Sequence, residues 1–295
     1  MKTILVTGAG GFTGHYAIVE LQARGYRVVG LSSRATAADE TIACDLTDAA
    51  AVNAVVRTVA PDFVLHLAGL AFVAHADEQA LYRVNLFGTQ NLLQALAALE
   101  TPVQKILLAS SANVYGKPGL PVLVESLCPV PLNHYAMSKL AMEHMARTWL
   151  DRLPIVIARP FNYTGLGQDE KFLVPKIVAH FRRGERVIEL GNIDVERDFS
   201  DVRVVVGAYC QLLERAPAGE TVNVCSGMVW SLKDVLAMMA EIAGYTIKIL
   251  VNPAFVRINE VPRLQGDTGL LNRFAGALDN IPLRETLRWM YTENR

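Results

Sequence analysis

The first 160 residues of this 295-residue chain alternate between short apolar runs and longer stretches of helical character. The apolar runs are continuous rather than interleaved with polar residues, which indicates strands buried on both faces, as in a parallel sheet covered by helices. Such alternation predicts a doubly wound α/β fold. Strands are predicted at 3–7, 27–31, 63–67, 105–109 and 155–158, and helices at 14–24, 47–59, 76–99 and 133–151.

After residue 160 the pattern is less regular, which predicts a smaller domain of mixed α/β structure. Ser231 and Asp234 have the spacing of a helix N-cap and its third-position carboxylate. We expect two domains, 1–160 and 161–295, with the elements at about 198–228 returning to the first. Helices are predicted at 172–183, 201–214 and 231–243, strands at 187–190 and 221–225, and a polar loop at 191–197.

Charge and composition exclude several classes of protein. The 28 basic and 29 acidic residues give a net charge of −1, so a broad surface for nucleic acid or anionic membrane is not expected. Hydrophobic residues make up 52%, yet the apolar runs are far shorter than the ~20 residues of a membrane span. The four cysteines form no CxxC pair and the six histidines no HExxH pattern. This spacing predicts no metal site and free thiols in a reducing cytoplasm. The apolar run near Met1 is too short for a secretory leader, so none is expected.

Three glycines follow the first predicted strand and open the first predicted helix. Gly8, Gly11 and Gly14 have the spacing needed for a tight turn, close approach of a pyrophosphate and close packing of helix on strand. The helix N-terminus adds free N–H groups for the anion. The alternative is a merely tight turn, but this position predicts a dinucleotide site on a Rossmann fold.

The end of the second predicted strand indicates which dinucleotide is bound. Folds that prefer NAD place a carboxylate there on the ribose 2′-hydroxyl, whereas this chain has Ser32 and Arg34, and its nearest acids, Asp39 and Glu40, come too late. A hydroxyl and a guanidinium suit a 2′-phosphate. The sequence predicts NADP(H) in preference to NAD(H), with an ordinary surface arginine as the alternative.

A tyrosine and a lysine four residues apart open the helix predicted at 133–151. Tyr135 and Lys139 therefore lie on one face, where the ammonium is expected to lower the phenol pKa from its usual value near ~10. Ser111 follows the strand predicted at 105–109, at the sheet edge where such folds bind ligands. We expect Ser111 to hydrogen-bond the oxygen that Tyr135 protonates.

In combination these motifs resemble the extended short-chain dehydrogenase/reductases that act on nucleotide sugars. The later segments at 191–202, 223–227 and 257–262 are similar to those of GDP-4-dehydro-6-deoxymannose reductases. The motifs that carry the broader resemblance are TGAGGFTG at 7–14, Asp45-Leu46, HLAG at 66–69, Asn85 with Gly88-Thr89, SSANVYG at 110–116, YAMSK at 135–139 and ARPFN at 158–162.

The resemblance implies a role for each matching residue. Ser111, Tyr135 and Lys139 would be catalytic, and Arg197 and Arg257 would clamp a diphosphate, unless they are ordinary surface ion pairs. Implied cofactor contacts are Gly8, Gly11, Phe12, Thr13, Gly14, Asp45, Leu46, Leu67, Ala68, Gly69, Tyr135, Lys139 and Pro160, together with Ser32 and Arg34. Implied substrate contacts are Ser111, Asn162, Val174, Lys176, Arg197, Arg257 and Glu260.

One departure from related enzymes narrows the reaction. Dehydratases that resemble this chain carry a Thr-Asp-Glu run, whereas the corresponding residues here are Ser111, Ala112 and Asn113, so the acid pair for dehydration is missing. The resemblance implies NADPH-dependent reduction of the C4 ketone of a nucleotide-linked 4-keto-6-deoxyhexose, forming GDP-D-rhamnose. A 4-epimerase with tightly bound NAD and a non-catalytic NADP(H)-sensing protein are the alternatives. A homodimer through the helices at 76–99 and 133–151 is also expected.

Overall fold

The computed structural model describes residues 1–34, 40–71, 77–255 and 261–293. Its strands are β1 (Thr3–Thr7), β2 (Arg27–Ser32), β3 (Thr41–Ala43), β4 (Phe63–His66), β5 (Lys105–Ala109), β6 (Ile155–Pro160), β7 (Asn162–Thr164), β8 (Val187–Leu190), β9 (Glu196–Asp201), β10 (Thr221–Val224), β11 (Val229–Ser231), β12 (Lys248–Val251) and β13 (Arg263–Leu264). Seven of these strands form one parallel sheet in the order β10-β6-β5-β4-β1-β2-β3.

Helices cover both faces of this sheet. The α-helices of the described chain are α1 (Phe12–Ala23), α2 (Ala49–Val59), α3 (Glu78–Tyr82), α4 (Thr89–Ala97), α5 (His134–Arg147), α6 (Leu173–Arg182), α7 (Val202–Arg215), α8 (Leu232–Ala243), α9 (Gly269–Ala275) and α10 (Leu283–Thr292), of which α6, α8 and α10 pack together in a separate core of the second half. One face packs against α1, α7 and α9, and the other against α2, α4 and α5. The predicted doubly wound α/β fold is therefore confirmed.

The buried strands explain the continuous apolar runs. Successive residues of β1 and β5 alternate between the two cores, so Ile4 lies in one core and Leu5 in the other. Because both sets of alternate positions are covered by helices, neither set needs polar side chains. The apolar excess of the composition therefore belongs to a sheet buried on both faces.

The helix predicted at 76–99 has an unforeseen interruption. Residue 76 lies outside the described residues, and between α3 and α4 the backbone widens into a π-helical turn, Arg83–Gly88. Such turns often occur at functional sites, and sequence periodicity does not reveal them. Asn85 is brought to the interior by this turn.

The second half of the chain builds two smaller sheets. Strand β9 pairs with β7, β11 and β13, and β12 pairs with β8. Strand β9 begins at Glu196, so the loop predicted at 191–197 is shorter than expected. Ser231 and Asp234 form the predicted capping box of α8.

Part of the second half joins the first. Strand β10 extends the central sheet beside β6, and α7 packs against α1. The division into domains 1–160 and 161–295, with the elements at about 198–228 returning to the first domain, stays a prediction. Among the described residues, no helix is both long and apolar enough to cross a membrane.

Candidate active site

The glycine loop has the backbone geometry of an anion cradle. Gly8 adopts a positive φ of 72°, and a Cβ there would lie 2.8 Å from the backbone nitrogen of Ala68. A Cβ on Gly14 would lie 2.7 Å from the carbonyl oxygen of Ala9. Gly11 is the N-cap of α1, and no side chain of the described residues caps that helix start. The free N–H groups of the first turn fit a pyrophosphate.

The first turn of α1 also contacts a residue that sequence reasoning missed. Tyr163, in β7, stacks on Phe12 with 6.3 Å between ring centroids. Its hydroxyl lies 2.9 Å from the Thr13 hydroxyl. Tyr163 directly follows the ARPFN motif, so an aromatic residue at the end of that motif was the available signal. The contact joins the phosphate loop to the second half of the chain.

A buried histidine fixes the chain where β4 ends. His66 Nδ1 lies 2.7 Å from the Thr7 hydroxyl, and its Nε2 lies 2.8 Å from the Thr89 hydroxyl. The Ala68 N–H donates to Thr7 Oγ1, and Thr89 donates to the Asn85 carbonyl. The Thr89 hydroxyl hydrogen is used in its bond to Asn85, so Thr89 can only accept from His66 Nε2. The ring therefore carries its proton on Nε2, and Nδ1 accepts from Thr7. Burial, reinforced by the nearby charge of Lys139, lowers the pKa of His66 to about 3.

The π-helical turn connects this strand end to α5, the helix that carries the predicted catalytic pair. Asn85 Oδ1 accepts a hydrogen bond of 2.8 Å from the Leu70 N–H, and its Nδ2 donates to Ser138 Oγ at 3.0 Å. Ser138 in turn donates to the Tyr135 carbonyl. A Cβ on Gly69 would come within 3.1 Å of Lys139 Nζ. Glycine at 69 therefore leaves the approach to the lysine open.

Helix α5 carries the predicted catalytic pair on its buried face. Asn133 caps this helix by accepting from the Ala136 N–H. Tyr135 and Lys139 are each 6% exposed, and Lys139 Nζ donates to the Ala109 carbonyl at 2.9 Å. Ser111, just after β5, lies close enough to the Tyr135 phenol for its hydroxyl to favour the ionised form. The structure therefore brings all three predicted catalytic side chains together.

The pKa values of the pair differ from the sequence-based expectation. Burial raises the pKa of Tyr135 to about 12, although the Ser111 hydrogen bond opposes this shift. Burial lowers the pKa of Lys139 to about 8, against the raising effect of Glu143. The expectation that Lys139 depresses the Tyr135 pKa is wrong for this structure, because removal of the phenol from water raises the pKa more than the Ser111 hydroxyl lowers it.

The other predicted cofactor residues lie at the same sheet edge. All strands of the sheet are parallel, so the segments that follow β1, β2, β4, β5 and β6 meet at one edge. Ser32 ends β2 and accepts a 3.4 Å bond from the N–H of the exposed Arg34. Asp45 accepts from Thr47, and the Leu46 carbonyl accepts from an amide of α4. The remaining predicted contacts at this edge are Leu67 and Pro160.

The predicted substrate residues lie on elements of the second half. Asn162 is exposed at the start of β7, and Arg197 in β9 donates to the Glu196 carbonyl at 2.9 Å. Lys176 in α6 donates to the Glu189 carbonyl at 2.8 Å. The Val174 side chain is packed in the core of this half, so only its backbone can meet a ligand. Arg257 and Glu260 lie outside the described residues.

The donors at this edge suit a dinucleotide rather than a metal ion. Within the ranges the structure describes, no three histidine, cysteine, aspartate or glutamate side chains gather closely enough to hold a metal ion. What the edge provides is backbone N–H groups, hydroxyls and one buried ammonium. These groups recognise phosphates and sugar hydroxyls.

Comparison with known families agrees with this geometry. The model of the NAD dependent epimerase/dehydratase family matches residues 4–225. The chain belongs to this family. The resemblance inferred from the motifs is confirmed, and so is the prediction of an NAD(P)-dependent oxidoreductase.

Two curated relatives extend the match over most of the chain. A GDP-6-deoxy-D-talose 4-dehydrogenase from Aggregatibacter actinomycetemcomitans is 37% identical over 290 residues, which covers 98% of this chain and 96% of the relative. A GDP-6-deoxy-D-mannose reductase from Pseudomonas aeruginosa is 38% identical over 240 residues, covering 77% and 78%. The similarity therefore includes the C-terminal half.

Two solved structures share the whole architecture. A chain from Burkholderia cenocepacia J2315 superposes with a TM-score of 0.93 at 50% identity, covering 98% of this chain and 97% of that one. RMD from Pseudomonas aeruginosa, complexed with NADPH, superposes with a TM-score of 0.86 at 32% identity, covering 99% and 98%. Both the sheet and the smaller C-terminal elements therefore have counterparts in these two solved structures.

Proposed function

We propose that the protein reduces the C4 ketone of GDP-4-dehydro-6-deoxy-D-mannose with NADPH, giving GDP-D-rhamnose. The observation that carries this proposal is the buried cluster of Ser111, Tyr135 and Lys139, which supplies a proton donor. Positions 112 and 113 carry Ala112 and Asn113 rather than the two acids of the dehydratases. The names of two relatives, both of which act on GDP-linked 6-deoxyhexoses, support the substrate class.

The raised pKa of Tyr135 suits the direction of reduction. With a pKa of about 12, the phenol is protonated at neutral pH and can donate to the ketone oxygen. Ser111 donates a hydrogen bond to the same oxygen and withdraws charge from it. Lys139, whose pKa is about 8, is mostly cationic at neutral pH and would bind the cofactor as a hydrogen-bond donor.

The cofactor residues fit NADPH. Bound NADPH supplies the hydride that reduces the ketone carbon. Gly8, Gly11 and Gly14 would hold its pyrophosphate through the open N-terminus of α1. Two observations support NADPH over NAD(H): Arg34 follows β2, and the Pseudomonas RMD binds NADPH. The description of the family, in contrast, mentions NAD.

A second product is favoured by the relative from Aggregatibacter. The 6-deoxy-D-talose that appears in its name differs from D-rhamnose only in configuration at C4, so reduction of one ketone from opposite faces gives the two sugars. That relative is similar over 98% of this chain. GDP-6-deoxy-D-talose is therefore the second candidate product, with the same Tyr135 and Lys139 chemistry.

The remaining expectations concern organisation and partners. We propose that residues 1–160 bind the cofactor and that residues 161–295 supply most of the nucleotide-sugar contacts. A homodimer through the helices predicted at 76–99 and 133–151 would cover Phe87 in the π-helical turn and Met137 in α5, which are 53% and 42% exposed. Light scattering coupled to gel filtration tests the dimer, and a monomer would contradict it.

One assay tests the reaction. NADPH oxidation is followed with GDP-, dTDP- and UDP-linked 4-keto-6-deoxy sugars, and proton NMR of the product then reads the C4 configuration. We expect turnover with the GDP sugar and a rhamnose configuration. The absence of oxidation with every GDP-linked ketone would contradict the proposal. Purified protein carrying stoichiometric NAD(H) would instead favour the 4-epimerase.

A further inference from the structure

Behind the catalytic helix lies a buried ion pair that the reaction itself does not use. Glu143 in α5 and Arg159 in β6 are 1% and 3% exposed. We propose that Glu143 and Arg159 are positioning residues, which hold Ser111, Tyr135 and Lys139 in the arrangement needed for proton transfer. This inference rests on the proposed reduction, and it names two residues that act through the catalytic side chains rather than on the substrate.

The two charged groups meet in a bidentate geometry. Arg159 Nε lies 2.9 Å from Glu143 Oε1, and Arg159 Nη2 lies 2.6 Å from Glu143 Oε2. This fork-to-fork pairing fixes both the distance and the relative orientation of the two side chains. Buried ion pairs commonly add little net stability over apolar residues of the same volume. The pair therefore calls for an explanation in geometry rather than in stability.

Glu143 also binds the segment that carries the catalytic serine. Ser110, which directly precedes Ser111, donates its hydroxyl hydrogen to Glu143 Oε1. On α5, Glu143 lies one turn beyond Lys139 and two turns beyond Tyr135. One carboxylate thus links the helix that carries the proton donor to the strand end that carries its hydrogen-bond partner. Displacements of about 1 Å in such sites can cost about a hundredfold in rate.

Arg159 fixes the other side of the same segment. Its guanidinium lies over the ring of Tyr115, 4.8 Å from the centroid. The Tyr115 hydroxyl donates to Asn223 Oδ1 at 2.7 Å, and Asn223 Nδ2 donates to the Leu123 carbonyl. Residues 110–115 are therefore held at Ser110 by Glu143 and at Tyr115 by Arg159. Ser111 lies between these two attachments.

The pair has an electrostatic effect that a purely structural contact would lack. The Glu143 charge raises the pKa of Lys139 against the effect of burial. Other titratable groups of the described residues also face this pair: Tyr135 lies on the same helix, and His66 from β4 has a pKa of about 3 that keeps it neutral at neutral pH. The Arg159 cation is bound to Glu143 itself, so loss of the Glu143 charge also leaves that cation uncompensated. Removal of the Glu143 charge should therefore move the titration of Lys139 to lower pH.

The test is Glu143→Gln, which keeps the volume and removes the charge. We expect the Lys139 pKa, followed by NMR of 13Cε-labelled lysine, to fall by about one unit. We expect kcat for the reduction to fall by about a hundredfold, while KM for NADPH changes less than about threefold. Lys139→Arg assigns the lysine resonance.

A matched control separates positioning from general loss of stability. Asp201, also buried, pairs with Arg203 and accepts from Thr286. Asp201→Asn removes a buried carboxylate from a different part of the fold, so we expect the Lys139 pKa and kcat to stay near their wild-type values. If Asp201→Asn lowers both as much as Glu143→Gln does, the inference is overturned.

The inference stays testable if Glu143→Gln does not fold and if the wild-type protein reduces no sugar ketone. If Glu143→Gln does not fold, Ser110→Ala takes its place, and we expect about a tenfold loss of kcat, with unchanged kcat overturning the inference. If the wild-type protein reduces no sugar ketone, the proposed function fails, and the Lys139 pKa in Glu143→Gln still tests the link between the two residues. An unchanged Lys139 pKa overturns the inference in either case.

Discussion

The two halves of the molecule hold their candidate functional residues in different ways. In residues 1–160 the proposed catalytic side chains are nearly inaccessible, and hydrogen bonds fix Lys139 and the backbone of Tyr135. In residues 161–295, Lys176 is half-buried and Asn162 exposed, on elements at the border of small sheets. The proposed chemistry thus lies on a rigid scaffold, whereas the proposed recognition of the sugar nucleotide lies on a less constrained surface.

This difference follows from the packing of the sheets. The central sheet has an apolar core on each face, so the ends of its strands are fixed from both sides. In the second half, β8 and β12 form a two-stranded sheet in which Val187 and Val251 remain exposed. Sites built on buried strand ends hold their geometry better than sites on such small sheets. Substitutions in the two halves should therefore change different kinetic constants.

The largest expected effect comes from removal of the proton donor. Tyr135→Phe should lower kcat by roughly 10²–10⁴-fold, since the phenol donates the proton in the proposed reduction. Arg197→Met, in the second half, should instead raise KM for the sugar nucleotide and leave kcat within a few-fold. Steady-state NADPH oxidation measures both constants, and fluorescence titration checks that Tyr135→Phe still binds NADPH. The contrast between the halves is lost if Tyr135→Phe retains its turnover.

The sequence alone predicted the features that depend on local pattern, but not those that depend on contacts between distant segments. Apolar runs and glycine spacing placed β1, α1 and the site at the sheet edge, because these features depend on local pattern. The π-helical turn at Arg83–Gly88, Tyr163 and the pairing of Glu143 with Arg159 depend on contacts between distant segments. No spacing rule encodes such contacts, because they arise only when the sheet brings the segments together.

The second effect concerns stability in acid. Folding lowers the pKa of His66 to about 3, so between pH 6.5 and 3 the unfolded chain binds a proton that the folded chain does not. The contribution of His66 is therefore fully present above pH 6.5 and is lost as the pH falls, by about 1.4 kcal/mol per pH unit. His66→Gln keeps a donor for Thr89 and should flatten the acid slope of the unfolding free energy, measured with urea.

His15→Gln provides the control for this experiment. His15 is exposed on α1, so the same replacement there should leave the acid slope close to that of the wild type. If the unfolding free energies of the wild type and His66→Gln fall equally with decreasing pH, the buried hydrogen bonds that join Thr7, His66 and Thr89 are not the cause of acid sensitivity in the first half.

A smaller effect is expected at the proposed 2′-phosphate contact. Arg34→Ala should raise KM for NADPH about 10–100-fold, the value of one charge-assisted hydrogen bond, and leave KM for NADH unchanged. Arg27→Ala is the control variant, because it also removes a surface arginine, one that begins β2 and pairs with Glu40. Equal effects on NADPH and NADH would contradict the proposed NADP(H) preference.

The smallest effects come from two helical glycines, one in each half. Gly14 in α1 has no room for a side chain, because a Cβ would lie 2.7 Å from the Ala9 carbonyl oxygen and 2.8 Å from Ala9 Cα. Gly14→Ala should destabilise the protein by about 1–3 kcal/mol and weaken NADPH binding.

Gly207 in α7 tests the opposite prediction. A Cβ at this position meets, within 4 Å, no atom of the described chain beyond its own helix backbone. Gly207→Ala should therefore stabilise the protein by up to about 1 kcal/mol, because alanine restricts the unfolded chain more than glycine does. Urea unfolding measures both variants. Both glycines lie in helices, but only Gly14 packs closely against the phosphate loop. If Gly14→Ala and Gly207→Ala lose the same stability, the close packing at Gly14 is not what makes alanine unfavourable there.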